Sequence, residues 1–321
     1  MTIAAMLSPA EVLTQVAAAL PDEVRPNVVI IGSLAAAYHF FAADSDRAIR
    51  TKDVDCLFSP HSKAVAAAAV VTDRLIRANW TLREGPDWSV PGTKESRDED
   101  LPMVRLRPPG TGASPWFLEL LSAPPQYEPG GSAKKQRRIE TSAGHFAICS
   151  FDYLALAEWQ PIELPLQIRI ARPEMMALAN LLHHPVISDT LIAGTNYKRA
   201  NKDLGRVLAL AYLTTLRDRR SGEDELSEWP SRMWLALQEK FGGQARQLAA
   251  NAGAGLAELL GSAADLDQAL RIASLGLLAS LDVSPEAFVA TGARFMAEVI
   301  DELAALPAGD TPRPPLPAQQ R

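Results

Sequence analysis

The sequence predicts an α+β fold: a mixed β-sheet flanked by helices, followed by an all-helical C-terminal domain. Three observations carry this. Up to about residue 172, short β-branched or apolar runs ("VVII", "DVDCLF", "WFLELLS", "LQIRIA") alternate with helical stretches. Beyond that point apolar residues recur at spacings of three and four, without strand alternation. The 321 residues are 47% hydrophobic, enough for two domains with real cores. The expected division is 1–172 for the sheet domain, 173–306 for the helical domain and 307–321 for a disordered, proline-rich tail.

In chain order, "SPAE" opens a first helix: Ser8 caps it, Pro9 suits its first position and Glu11 completes a capping box. "VVII" (28–31) is a central strand, and "SLAAAYHFFA" a helix starting directly after Gly32. "DVDCLF" (53–58) alternates polar and apolar residues before "SP" and reads as a strand; "HSKAVAAAAVVTDRLIRA" is the strongest helix of the first half. "WTLREG" and "MVRLRP" are strands separated by a charged, breaker-rich loop. "WFLELLS" (116–122) is a strand interrupted by Glu119, "SAPPQYEPGGSAKKQ" a loop, and "RRIETSAGHFAICSF" a hairpin around Ala143-Gly144. "LQIRIA" (166–171) is the last strand. The helices then run through "PEMMALANLLHH", "NKDLGRVLALAYLTTLRD", "SRMWLALQEKF", "ARQLAANAGAGLAELL", "DLDQALRIASLGLLASL" and "PEAFVATGARFMAEVIDELAAL". The tryptophans of "AEWQ" and "SEWP" are core residues on this reading, and His39 lines a core or pocket wall.

A net charge of −6 argues against broad coating of nucleic acid and leaves a local basic groove open. "SAKKQRR" (132–138) is the one basic run, either a solvated loop or a contact for a phosphate backbone. Cys56 and Cys149 lie far apart without metal-ligand spacing, which fits a reducing compartment with no disulfide and no zinc site. The first residues have no basic start or long apolar core, and no segment offers about twenty uninterrupted apolar residues, so a cytoplasmic protein without a membrane span is expected.

Asp53 and Asp55 are two apart on a strand and share a face. Carboxylates side by side repel and stay ionised when a cation sits between them. Mg²⁺ suits oxygen ligands and takes its remaining ones from water and substrate phosphates. Glu119, on a second apolar strand, would complete a two-metal site if the strands were neighbours; the rival is a salt bridge to an arginine of "MVRLRP". A helix starting at Gly32 offers free N–H groups to a phosphate, and Ser33 adds a hydroxyl.

The arrangement "GS", then "DVD", then "LEL" resembles the nucleotidyltransferase fold shared with DNA polymerase β. Within it the chain looks most like bacterial AbiEii-type toxin nucleotidyltransferases, through Thr51-Lys52-Asp53-Val54-Asp55 (a T-x-D-x-D strand) and the later "K-D" of "KRANKDLGRVLAL" (198–210). The likeness covers about residues 28–210. It implies a nucleotidyltransferase-like sheet domain and an enzyme that uses Mg²⁺ to move a nucleoside monophosphate from an NTP to a hydroxyl acceptor. Acceptors in the superfamily include the tRNA 3′ end, protein side chains and small molecules, and toxins of this kind imply an antitoxin partner. Carried over, Asp53, Asp55 and Glu119 are the catalytic and metal residues, and Gly32, Ser33, Lys198, Lys202 and Asp203 bind the nucleotide. The chain departs from the pattern in four places: a longer gap between the Gly-Ser turn and the aspartates, Glu119 where aspartate is usual, Asn180 near the place of a lysine, and Arg206 where an acid commonly follows Asp203. The phosphate cation would then come from Lys198, Arg199 or Lys202, residues that otherwise read as a solvated helix face. The alternatives are a catalytically degenerate binding or regulatory protein on this fold, and a small-molecule nucleotidyltransferase of the antibiotic-modifying kind.

Overall fold

A computed structural model describes residues 6–42, 48–83, 90–110, 116–124 and 135–306. It is a mixed α+β structure with a mixed sheet and a helical C-terminal region. The strands are β1 (Met6–Leu7), β2 (Val28–Ile31), β3 (Ile49–Arg50), β4 (Asp53–Phe58), β5 (Thr81–Leu82), β6 (Arg105–Arg107), β7 (Phe117–Ser122), β8 (Lys135–Thr141), β9 (Gly144–Ser150), β10 (Ile162–Glu163) and β11 (Arg169–Ile170). The helices are α1 (Pro9–Ala19), α2 (Gly32–Phe41), α3 (His61–Arg77), α4 (Pro173–His183), α5 (Arg199–Ser221), α6 (Glu225–Phe241), α7 (Ala245–Asn251), α8 (Ala254–Gly261), α9 (Ala263–Leu275), α10 (Pro285–Phe295) and α11 (Asp301–Ala305).

The main sheet runs β10–β11–β2–β4–β7–β6–β5, with β9 also paired to β7 and β8 to β9. Every residue of β2 is buried, as a β-branched run in the middle of a covered sheet requires. β4 lies antiparallel to β2 and parallel to β7, and β6 lies antiparallel to β7. α2 and α3 pack on β4, so the strand that bears the aspartates is covered except where its carboxylates emerge.

α5 organises the helical region, packed by α4, α6, α9 and α10. A Cβ at Gly205 would sit 2.9 Å from the Ala269 carbonyl, so only glycine lets α5 and α9 approach this closely. Buried Asn201 donates to Asp265 (2.7 Å) and Gln268 (2.8 Å) across the same seam. One apolar cluster is continuous from Val12 of α1 to Leu303 of α11, with α2 touching α5.

Three expectations change in detail. Lys135 and Gln136 open β8 rather than ending the loop, because they pair with Ser150 and Cys149 of β9, and Arg137 and Arg138 follow them in the expected hairpin; residues 132–134 of the basic run lie outside the described residues. "ARQLAANAGAGLAELL" forms two helices, α7 and α8, broken at Ala252-Gly253, and "PEAFVATGARFMAEVIDELAAL" carries a π-helical turn at Met296–Ile300. The tail 307–321 lies outside the described residues. Trp159 and Trp229 are buried as expected.

Candidate functional site

β4 sets the site. Its alternation places Asp53 and Asp55 half-buried on one face, with Val54 and Cys56 buried on the other. Register then builds a row across the sheet: Ile31 of β2, Asp55 of β4, Glu119 of β7 and Arg105 of β6 are consecutive partners. Paired residues on neighbouring strands share a face, so Glu119 stands beside Asp55. Thr51 fixes Asp53 by donating to its Oδ1 (3.0 Å) and its carbonyl (3.1 Å).

α2 begins where β2 ends. Gly32 has φ +74°, in the left-handed region that favours glycine, and a Cβ built there would lie 2.7 Å from Asp55 Oδ2. Glycine therefore lets the Asp55 carboxylate reach the first turn of α2. That turn has no side-chain cap, so its leading N–H groups and the half-buried Ser33 are left to whatever sits there.

The electrostatics are those of crowded acids. Burial, then Asp53, then Glu119 push the Asp55 carboxyl well above the ordinary carboxylate range, while Arg206 and Lys202 of α5 pull it back. Lys202 and Arg206, one helical turn apart, thus face the acid pair from the helical region. Glu119 is gripped by Arg105 through two bonds, Nε to Oε2 (3.0 Å) and Nη2 to Oε1 (2.9 Å), with both side chains largely buried.

The remaining expected residues are engaged by other partners. Lys198 stands just before α5 and pairs with Asp265 (3.1 Å) and Asp189 (3.4 Å), which ties it to α9. Asp203 is bonded to His184 Nε2 (2.7 Å). Burial pushes Asp203 up, but the His184 bond and the Arg206 and Lys202 charges outweigh it and bring the carboxyl down to about 2. Asn180 donates back to the Met176 carbonyl of its own helix (3.0 Å). Arg105 is one of the two arginines of "MVRLRP" that the sequence offered as partners of Glu119, whereas His184 beside Asp203 and the action of Arg206 on Asp55 were not placed by sequence. Only the i, i+4 spacing of Lys202 and Arg206 on a helix hinted at a shared cationic face.

Among the described residues no group of three His, Cys, Asp or Glu side chains is arranged to hold a metal ion. The donor chemistry of the aspartate pair still fits Mg²⁺, which commonly takes one or two carboxylates and completes its shell with water and substrate phosphates rather than with an all-protein cage. The destabilised charge on Asp55 is what such a cation would relieve. Comparison with protein-family models, curated proteins and solved structures gives no match. No helix among the described residues is long and apolar enough to cross a membrane.

Proposed function

We propose that the chain is a Mg²⁺-dependent nucleotidyltransferase that moves a nucleoside monophosphate from a nucleoside triphosphate to a hydroxyl acceptor. One observation carries this reading: the uncapped first turn of α2 and the Asp53/Asp55 pair meet so closely that residue 32 has no room for a Cβ. An anion-binding helix end against a carboxylate pair is a place for phosphate with a divalent cation.

In this reading the leading N–H groups of α2 and the Ser33 hydroxyl hold phosphate oxygens. Asp53 and Asp55 would hold the ion, which when bound supplies charge neutralisation and activation of the acceptor hydroxyl. Lys202 and Arg206 offset the remaining negative charge from the opposite side. Arg105 fixes Glu119 beside Asp55, where the carboxylate faces an incoming acceptor. Positioning and electrostatics of this kind supply most of the catalysis in phosphoryl transfer. Acceptors consistent with the reading are an RNA 3′ end, a protein side chain or a small molecule, and a toxin-like role would bring an antitoxin partner.

The Glu119–Arg105 pair and the bond of Asn180 to its own helix backbone favour a second reading, a nucleotide-binding protein that keeps the fold without the chemistry. Thermal unfolding with each of the four NTPs, with and without Mg²⁺, on wild type and Asp53→Ala tests both. At 100-fold over the dissociation constant, a bound nucleotide stabilises by about 2.7 kcal/mol, and this gain should need Mg²⁺ and vanish in Asp53→Ala. Labelled NTP then separates the readings: transfer supports the enzyme, and binding without transfer supports the second. No shift with any nucleotide sinks both.

A further inference from the structure

The two sides of the acid pair differ. On one lies the first turn of α2. On the other, the row Asp55–Glu119–Arg105 continues to Arg83, whose N–H donates to the Arg105 carbonyl (2.9 Å) just past β5. Arg107 is two residues along β6 from Arg105 and shares its face. The Arg83 guanidinium carbon lies 4.3 Å from the Phe117 ring centroid, and that of Arg105 lies 5.8 Å from it. Phe117 is the β7 partner of Asp53. The guanidiniums therefore lean back over an aromatic floor that adjoins the aspartates.

Arg105 is engaged by Glu119, but Arg83 and Arg107 make no ion pair and no side-chain hydrogen bond among the described residues. Burial, then the Arg105 charge, depress the Arg83 guanidinium; Arg107 adds to this, and Glu119 and Asp53 oppose it. Cations crowded in this way favour an anion of matching geometry. A guanidinium presents planar, two-pronged donors to phosphate oxygens and keeps its stacking on a ring. In the basic run, Arg138 is taken up by Asp98 and the Thr93 and Ser96 carbonyls.

The geometry points to an oxyanion site, formed by Arg83, Arg105 and Arg107 over Phe117, that takes phosphate groups on the side of the aspartates away from Gly32. The assignment deepens the transferase reading and rests on it for what is transferred nearby; binding of the anion does not depend on turnover. Phosphate could reach this place as a phosphodiester of a nucleic-acid acceptor or as the pyrophosphate released from the nucleotide.

The test is direct binding of two probes, a short fluorescent single-stranded oligoribonucleotide and inorganic pyrophosphate, to wild type and to Arg83→Gln with Arg107→Gln. If the phosphodiester is the ligand, oligonucleotide binding weakens about tenfold, its log–log salt slope becomes shallower by about 1.4 for two lost contacts, and pyrophosphate binding stays. If the leaving group is the ligand, pyrophosphate binding weakens and oligonucleotide binding stays. Arg83→Lys with Arg107→Lys keeps both charges and should keep the salt slope of the probe that binds. Unchanged binding of both probes in the Gln variant, a slope lost in the Lys variant, or no binding of either probe to wild type overturns the assignment. NTP stabilisation and its loss in Asp53→Ala are read separately, so the transferase reading can fail while the oxyanion site stands.

Discussion

Gly32 and Asp55 form a contact that neither residue explains alone. Gly32 takes φ +74°, and its missing Cβ is the space that Asp55 Oδ2 occupies. Gly32→Ala therefore adds backbone strain and a steric conflict, and should cost about 1–3 kcal/mol in chemical unfolding while abolishing any nucleotide-dependent shift. Asp55 itself predicts the opposite sign. Its folded pKa is raised above the unfolded value, so its contribution is favourable below the unfolded value and is lost as pH rises through the folded one. At neutral pH the carboxylate is thus a cost in the metal-free protein. Asp55→Asn should raise the melting temperature in EDTA by a few degrees and remove stabilisation by Mg²⁺ with nucleotide. A lower melting temperature for Asp55→Asn in EDTA would show that the crowding of Asp53, Asp55 and Glu119 is not the dominant local effect. Much of this pair was legible in the sequence: a Gly-Ser turn after a β-branched run and an Asp-x-Asp alternation each have one local reading. The contact between them was not, because local patterns say which face a residue takes and not what stands opposite.

At the scale of elements, the limit of local patterning is β7. "WFLELLS" announced an apolar strand with one carboxylate, and the structure has that strand, buried throughout except at half-buried Glu119. Whether it would lie next to β4, and in what register, depends on long-range pairing that leaves no trace in local periodicity. The structure sets Asp55 opposite Glu119 and Glu119 opposite Arg105, so both possibilities for Glu119 meet in one residue: it neighbours the aspartates and it is salt-bridged. Lys198 shows the same limit on the helical side, where tertiary packing of α5 on α9 commits it to Asp265. The Glu119–Arg105 pair has side-chain exposures of 13% and 18%, low enough for desolvation to matter. Arg105→Met alone leaves Glu119 unpaired among like charges and should cost about 3 kcal/mol. Arg105→Met with Glu119→Leu should recover most of that loss. Urea unfolding of the two variants and of Glu119→Leu closes the double-mutant cycle, and additive losses would mean that the pair carries no coupling.

Across the whole molecule, the sheet and the helical region share one apolar core, and a polar contact also joins them: Arg217 Nη1 of α5 meets His39 Nε2 of α2 at 2.5 Å. The guanidinium can only donate, so His39 Nε2 accepts and the ring is neutral with its proton on Nδ1. Burial first, then the charges of Arg217 and Arg172, lower His39 from 6.5 to about 3. The folded-state value lies below the unfolded one, so between these two pH values the unfolded chain binds the extra proton. Stability attributable to His39 is therefore present above pH 6.5 and falls as the solution is acidified towards pH 3, at a rate of at most about 1.4 kcal/mol per pH unit. Asp203 adds to the loss at the acid end, since its carboxyl, held at about 2, gives up its contribution as pH drops below 3.8. Gln at position 39 can offer an acceptor oxygen to Arg217 and cannot take up a proton. Melting temperatures of wild type and His39→Gln, measured from pH 7 down to pH 4, should diverge steadily as wild type loses stability faster. Parallel curves over that range would mean that His39 is charged in the folded protein and that Arg217 is held in place by Glu225 of α6 instead.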